Sequence, residues 1–212
     1  MIAIIDYEAG NLKSVERALK KLGFPCRITQ DKEDVLNSDR IIFPGVGAAG
    51  KAIADLRHLG LDKALMQAFE NGKSLLGICL GAQIILEKSE ENNTPCLGLI
   101  EGDVKLFPSP LFSEEKEHLK IPHMGWNSVR LLKRHPVLEG IRPHDEFYFV
   151  HSYYPMPASN KHVIGTTNYG IEFPSIIGHK NLISMQFHLE KSGNPGLRIL
   201  RNFCEWNGYY AE

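Results

Sequence analysis

The stretch Ser74-Leu-Leu-Gly-Ile-Cys79-Leu-Gly-Ala-Gln83 restricts what this chain can fold into more than any other segment. Its apolar first half reads as a buried strand, and its second half opens a helical stretch carrying Ile84 and Ile85. The Gly-x-Cys-x-Gly turn between them is the cysteine counterpart of a nucleophile elbow. The backbone bends sharply beneath the cysteine, and side chains at positions 77 and 81 are expected to collide with it unless they are glycine.

The rest of the first half repeats this strand-to-helix unit. Ile2 to Asp6 reads as a buried strand, and Leu12, Val15, Leu19 and Leu22 mark one face of a helix. Arg40 to Phe43 is a second strand, ended by Pro44 and Gly45. Alternating units of this kind predict an α/β fold with a central, mostly parallel sheet covered by helices. After Asn92 the texture changes to short strands at Val104 to Phe107, Phe147 to Tyr153, His162 to Thr167, Ile176 to Gly178 and Leu182 to Phe187, read as more antiparallel. A final amphipathic helix begins near Pro195, and the Pro-, Glu- and Lys-rich segment from Ser109 to Lys120 reads as a mobile surface loop. With 212 residues, 43% of them hydrophobic, one domain over residues 1–212 is the expectation.

Charge and cysteine usage narrow the partners. Lys plus Arg number 24 against 25 for Asp plus Glu, so a formal charge of -1 offers no general attraction for nucleic acid or an anionic membrane. The first strand lacks a basic flank and Asp6 interrupts it, unlike a signal peptide, and no apolar run is long enough to span a bilayer. Cys26, Cys79, Cys96 and Cys204 are scattered without a Cys-x-x-Cys pair, which suits reduced thiols in a cytoplasm and disfavours zinc.

Cys79 is the candidate nucleophile, because the elbow sets its sulfur over a helix start whose free amides favour a thiolate. The other three cysteines lack that context and read as packing residues. A thiol nucleophile needs a base that removes its proton and later returns one, and of nine histidines His188 is best placed. The strand Leu182 to Phe187 runs into it, and in extended chain Glu190, two residues on, shares its face and can orient the imidazole. His123 and His151 compete for the base role but have no carboxylate two residues on, so they read as structural or substrate-lining.

Gly45-Val46-Gly47-Ala48-Ala49-Gly50 admits two uses. It matches the dinucleotide fingerprint at Gly45, Gly47 and Gly50, for which Asp62 stands near the offset of the ribose-binding acid although it lies in a helical run. Alternatively, the loop presents amides to an oxyanion alongside the amide of Leu80.

Taken together, Gly77-Ile-Cys79-Leu-Gly81-Ala-Gln83 and His188-Leu-Glu190 resemble the motifs of the class I (triad) glutamine amidotransferases, whose domain is flavodoxin-like. Four segments and an extension narrow the likeness to the glutaminase subunits of imidazole glycerol phosphate synthases. They are Asp6 to Ser14, Pro44 to Gly47, Pro122-His-Met-Gly-Trp-Asn127, Phe149 to Tyr153 and Lys191-Ser-Gly193. The resemblance implies that Cys79, His188 and Glu190 hydrolyse glutamine through a thioester, without cofactor or metal, with Val46, Gly47 and Leu80 as oxyanion hole. It further implies that Gln83, Glu91, Ser152 and Tyr153 hold the amino-acid end of glutamine. Trp126, Asn127 and Lys191 then face a synthase subunit in a heterodimer that uses the ammonia in histidine biosynthesis. Related subunits serve surface-polysaccharide pathways, which is the alternative. Leu189, Ala82 and Ala49 stand where the family commonly has proline, methionine and phenylalanine, and loss of the proline is expected to loosen the link between His188 and Glu190.

Overall fold

The computed structural model describes residues 1–8 and 11–210. Ala9 and Gly10, inside the Asp6 to Ser14 segment, and the terminal Ala211 and Glu212 lie outside the described residues. The first half runs β1 (Ile2–Ile5), α1 (Leu12–Lys21), β2 (Cys26–Thr29), α2 (Lys32–Asn37), β3 (Arg40–Gly45), α3 (Ala49–His58), α4 (Leu61–Glu70), β4 (Ser74–Cys79) and α5 (Leu80–Ile84). Short strands follow: β5 (Lys88–Ser89), β6 (Thr94–Pro95), β7 (Gly102–Leu106), β8 (Leu111–Phe112), β9 (His118–Leu119), β10 (His123–Ser128) and β11 (Arg130–Leu131). The chain then forms β12 (Glu146–His151), β13 (Tyr153–Pro157), β14 (Val163–Asn168), β15 (Glu172–His179), β16 (Leu182–Met185) and α6 (Gly193–Glu205).

The central sheet has eight strands in the order β11-β14-β15-β16-β4-β3-β1-β2. From β2 to β16 all neighbours are parallel, and β15, β14 and β11 extend the sheet antiparallel. The apolar runs of β1 and β4 are buried throughout, as strands covered on both faces must be. Alternate side chains divide between two cores: Ile42, Leu76 and Ile78 pack with α1 and α6, while Ile41, Phe43 and Leu75 pack with α3 and α4.

Several boundaries differ from the expectation, each for a physical reason. β3 continues through Pro44 and Gly45, because its pairing to β4 persists after β1 has parted from it at Ile42. β2 carries too little burial for an apolar signal, being a short edge strand. Phe147 to Tyr153 is two strands in two sheets, broken at Ser152, since β12 pairs with β10 while β13 pairs with β7. Ser109 to Lys120 contains the β8–β9 hairpin, pinned by the buried Leu111. Most consequential for the site, β16 is parallel to β4 with Met185 opposite Ile78, so the chain ends after both strands emerge side by side.

Candidate active site

Cys79 ends β4 with φ 54 and ψ -108, a positive φ that a residue with a side chain adopts only when its surroundings enforce it. The enforcing contacts differ from those expected of the elbow. A Cβ at Gly81 would sit 2.0 Å from the Phe43 carbonyl oxygen, and one at Gly77 would sit 2.9 Å from the Gly81 carbonyl oxygen. The glycines therefore let β3, β4 and α5 approach one another, and the sulfur is not what excludes a side chain there.

His188 lies beyond the end of β16, where its amide donates to the Tyr148 carbonyl at 2.9 Å. The shared-strand argument for Glu190 does not describe the backbone: β16 stops at Met185, His188 is extended, and Glu190 sits in a 3-10 turn. That turn nonetheless brings Glu190 Oε1 to 2.8 Å from His188 Nδ1, with both side chains almost wholly buried. Asn11 Nδ2 donates to the same oxygen at 3.2 Å. Burial opposes a charge on His188, but Cys79 and Glu190 outweigh it and raise the imidazole to about 9. Burial likewise opposes the Glu190 carboxylate, yet His188 and Asn11 hold it below the usual range. His188 Nε2 makes no hydrogen bond of normal geometry, although it is close enough to the Cys79 sulfur to feel it.

The link is made with leucine at position 189. Its side chain is fully buried, and the buried Ser192 clamps the turn: Ser192 Oγ donates to the His188 carbonyl at 2.5 Å and accepts from the Tyr148 amide at 3.0 Å.

A cleft of about 370 Å³ opens beside Cys79, lined by Val46, Gly47, Gln83, Glu91, Ser152 and Tyr153. Leu80 lines it as well. Gly47 has φ +97 with open space where a Cβ would stand. Glu91 Oε2 accepts the Ala49 amide at 2.6 Å, tying the cleft lining to the start of α3. Gln83 Nε2 donates to the Tyr153 carbonyl at 2.9 Å and to Gln186 Oε1 at 3.1 Å. Gln186, whose amide points at the Cys79 sulfur from 3.8 Å, was not singled out from the sequence. The available signal was a glutamine inside the apolar run Leu182-Ile-Ser-Met-Gln-Phe187, since a buried polar residue is the informative exception. Tyr7 is a second such residue, fully buried with an unpartnered hydroxyl packed against Gly45.

His151 also lines the cleft. His123 and His151 are buried against each other, with Nδ1 to Nε2 at 3.0 Å, and burial depresses them to about 4 and about 3. Burial pushes the Cys96 and Cys204 thiols up to about 11 and about 12, and that of Cys26 upward. Asp62 is in the first turn of α4, away from any strand end, and Gly50 has room for a side chain, so the dinucleotide fingerprint lacks its geometry. Among the described residues, no group of three or more His, Cys, Asp or Glu is placed to hold a metal ion, and no helix is long and apolar enough to cross a membrane. Trp126 is exposed, 6.0 Å from the Tyr148 ring, over which Lys191 Nζ stands at 5.7 Å. Asn127 lies beside this patch with its amide turned inward, donating to the Asn168 carbonyl at 2.9 Å.

Comparison with known proteins gives a consistent result. The glutamine amidotransferase class-I family model matches residues 3–206. The imidazole glycerol phosphate synthase subunit HisH of Nitratidesulfovibrio vulgaris is 51% identical over 203 residues, covering 96% of this chain and 95% of its own. The protein of the same name from Dehalococcoides mccartyi is 45% identical over 204 residues, covering 96% of each. Among solved structures, a glutamine amidotransferase superposes with a TM-score of 0.71 at 20% identity, covering 97% of this chain and 98% of that one. PurLQS from Thermotoga maritima superposes with a TM-score of 0.73 at 17% identity, covering 96% of this chain and 97% of that one. Both structural matches establish the α/β fold.

Proposed function

This chain belongs to the class-I glutamine amidotransferase family, and we propose that it is the glutaminase subunit of a two-chain imidazole glycerol phosphate synthase. It hydrolyses glutamine and passes the ammonia to a synthase subunit for imidazole glycerol phosphate and AICAR formation in histidine biosynthesis. The observation that carries this reading is the His188 imidazole, bound through Nδ1 to Glu190 at 2.8 Å and held charged by Glu190 and Cys79 together. The extended likeness to named synthase subunits supports the pathway.

Glu190 fixes the proton of His188 on Nδ1, which leaves Nε2 free to take the thiol proton. The Cys79 sulfur attacks the side-chain carbonyl carbon of glutamine, and the oxyanion is held by the amide of Leu80 with one from Val46 or Gly47. His188 returns the proton to the departing nitrogen, releasing ammonia and a glutamyl thioester. Water, deprotonated by His188, cleaves the thioester to glutamate and restores the thiol. Glu91 offers its carboxylate to the α-ammonium group of glutamine, while Gln83, Ser152 and Tyr153 line the same cleft. Trp126, Asn127 and Lys191 form the face toward the synthase subunit.

The test is Cys79→Ser assayed in the assembled complex. Glutamine-dependent synthesis is expected to vanish while synthesis from added ammonium salt persists. Retention of glutamine-dependent synthesis, or loss of both, overturns the reading.

A further inference from the structure

We propose that His123 and His151 form a hydrogen-bond relay of fixed polarity that carries the state of the partner-facing strand β10 to the glutamine cleft. The relay ends at the Tyr153 carbonyl, and it rests on the reading above of Cys79 as the glutaminase nucleophile and of β10 as a synthase-docking strand.

The direction of every bond follows from the atoms at its ends. His151 Nδ1 lies 2.8 Å from the Tyr153 carbonyl oxygen, which only accepts, so this nitrogen carries the proton. A neutral imidazole then has its lone pair on Nε2, and His123 Nδ1, 3.0 Å away, must donate to it. His123 Nε2 accepts in turn, from Asn127 Nδ2 at 3.3 Å. The orientation of that amide is set independently, because Asn127 Oδ1 accepts the Ser128 amide at 2.8 Å and Nδ2 also donates to the Asn168 carbonyl. One arrangement of protons satisfies all these contacts. Burial keeps both rings neutral: an added proton on His151 would set N–H against N–H across 3.0 Å, and one on His123 Nε2 would set N–H against the Asn127 amide N–H across 3.3 Å.

The Tyr153 carbonyl is a junction. Gln83 Nε2 donates to it from the cleft side and also bonds Gln186, whose amide faces the Cys79 sulfur. An unbroken chain thus runs from Asn127 on the proposed docking strand to the nucleophile. The mechanical setting suits transmission. β10 and β12 form a two-stranded antiparallel sheet apart from the eight-stranded one, with His123 opposite His151 near the cleft and Trp126 opposite Tyr148 near the exposed patch. The His123 ring is stacked on Phe149 and Tyr169, with centroids at 4.7 and 4.0 Å, so it follows the strand pair without tilting freely.

Two measurements test the relay. In the free chain, histidine 15N spectra are expected to show both rings as the Nδ1–H tautomer, and the His151 signals are expected to shift when the synthase subunit is added. An Nε2–H tautomer or an imidazolium at either ring, or His151 signals unmoved by the partner, overturns it. The second compares wild type with His123→Phe, which keeps the ring stack and removes both bonds, for glutamate release with and without the synthase subunit. The variant is expected to bind the synthase with wild-type affinity yet lose about tenfold of its stimulation in kcat/KM for glutamine. Full stimulation of the variant overturns the relay while leaving the glutaminase reading intact. A wild-type chain that releases no glutamate even with the synthase present overturns both.

Discussion

His188 Nδ1 lies 2.8 Å from Glu190 Oε1 across a 3-10 turn, and this contact is set by tertiary packing of that turn and not by a shared strand. The Tyr148 amide and the His188 carbonyl both bond Ser192, so the turn is held from β12 and from the start of α6 together. The geometry of the imidazole therefore depends on residues that touch neither sulfur nor substrate.

The pH dependence of stability should report this pair. The folded imidazole is raised from 6.5 to about 9, so its contribution is complete below pH 6.5 and is lost as the pH rises toward 9. Glu190 is lowered from 4.5, so its contribution is present above that value and is lost as the pH falls through the folded value. Thermal melts between pH 6.5 and 9 are expected to fall for the native protein and to flatten in Glu190→Gln. The same variant should lose about a hundredfold in kcat for glutamine hydrolysis.

Gly81 and Gly47 should respond to alanine differently. A Cβ at Gly81 meets the Phe43 backbone at 2.0 Å, so Gly81→Ala is expected to destabilise the fold by about 3 kcal/mol, read by urea denaturation. At Gly47 there is space but φ is +97, so alanine there costs about 1 kcal/mol of local strain. Gly47→Ala should keep a near-native melt and lose glutaminase rate.

Leu189→Pro is expected to retain activity. His188 holds φ -88 and ψ 106, the extended backbone that a residue before proline requires. Ser192→Ala, by contrast, leaves the Tyr148 amide without its acceptor and should cost about 2 kcal/mol in stability. Steady-state kinetics separate the two: kcat should drop in Ser192→Ala and remain within a few-fold in Leu189→Pro.

Trp126→Ala should weaken the synthase complex by about thirtyfold, because an exposed indole beside Tyr148 is the kind of side chain on which association energy concentrates. Titration of the synthase subunit by calorimetry checks it, and an unchanged Kd would move the docking face elsewhere.

The sequence by itself determined the α/β class, the elbow at Cys79 and the helices around it, because these depend on periodicity and turn chemistry among neighbours in the chain. It also contained His188 and Glu190 as a candidate pair, with a reason for the pairing that the backbone does not follow. Only the tertiary structure decided that β16 inserts parallel to β4, bringing Met185 opposite Ile78 and Gln186 to the sulfur from a segment more than a hundred residues away. It likewise decided that Gly77 and Gly81 make room for backbone and not for the cysteine, and that His123 and His151 bond each other. Such relationships depend on which faces pack together once distant strands are aligned, and no local pattern of residue types encodes that register.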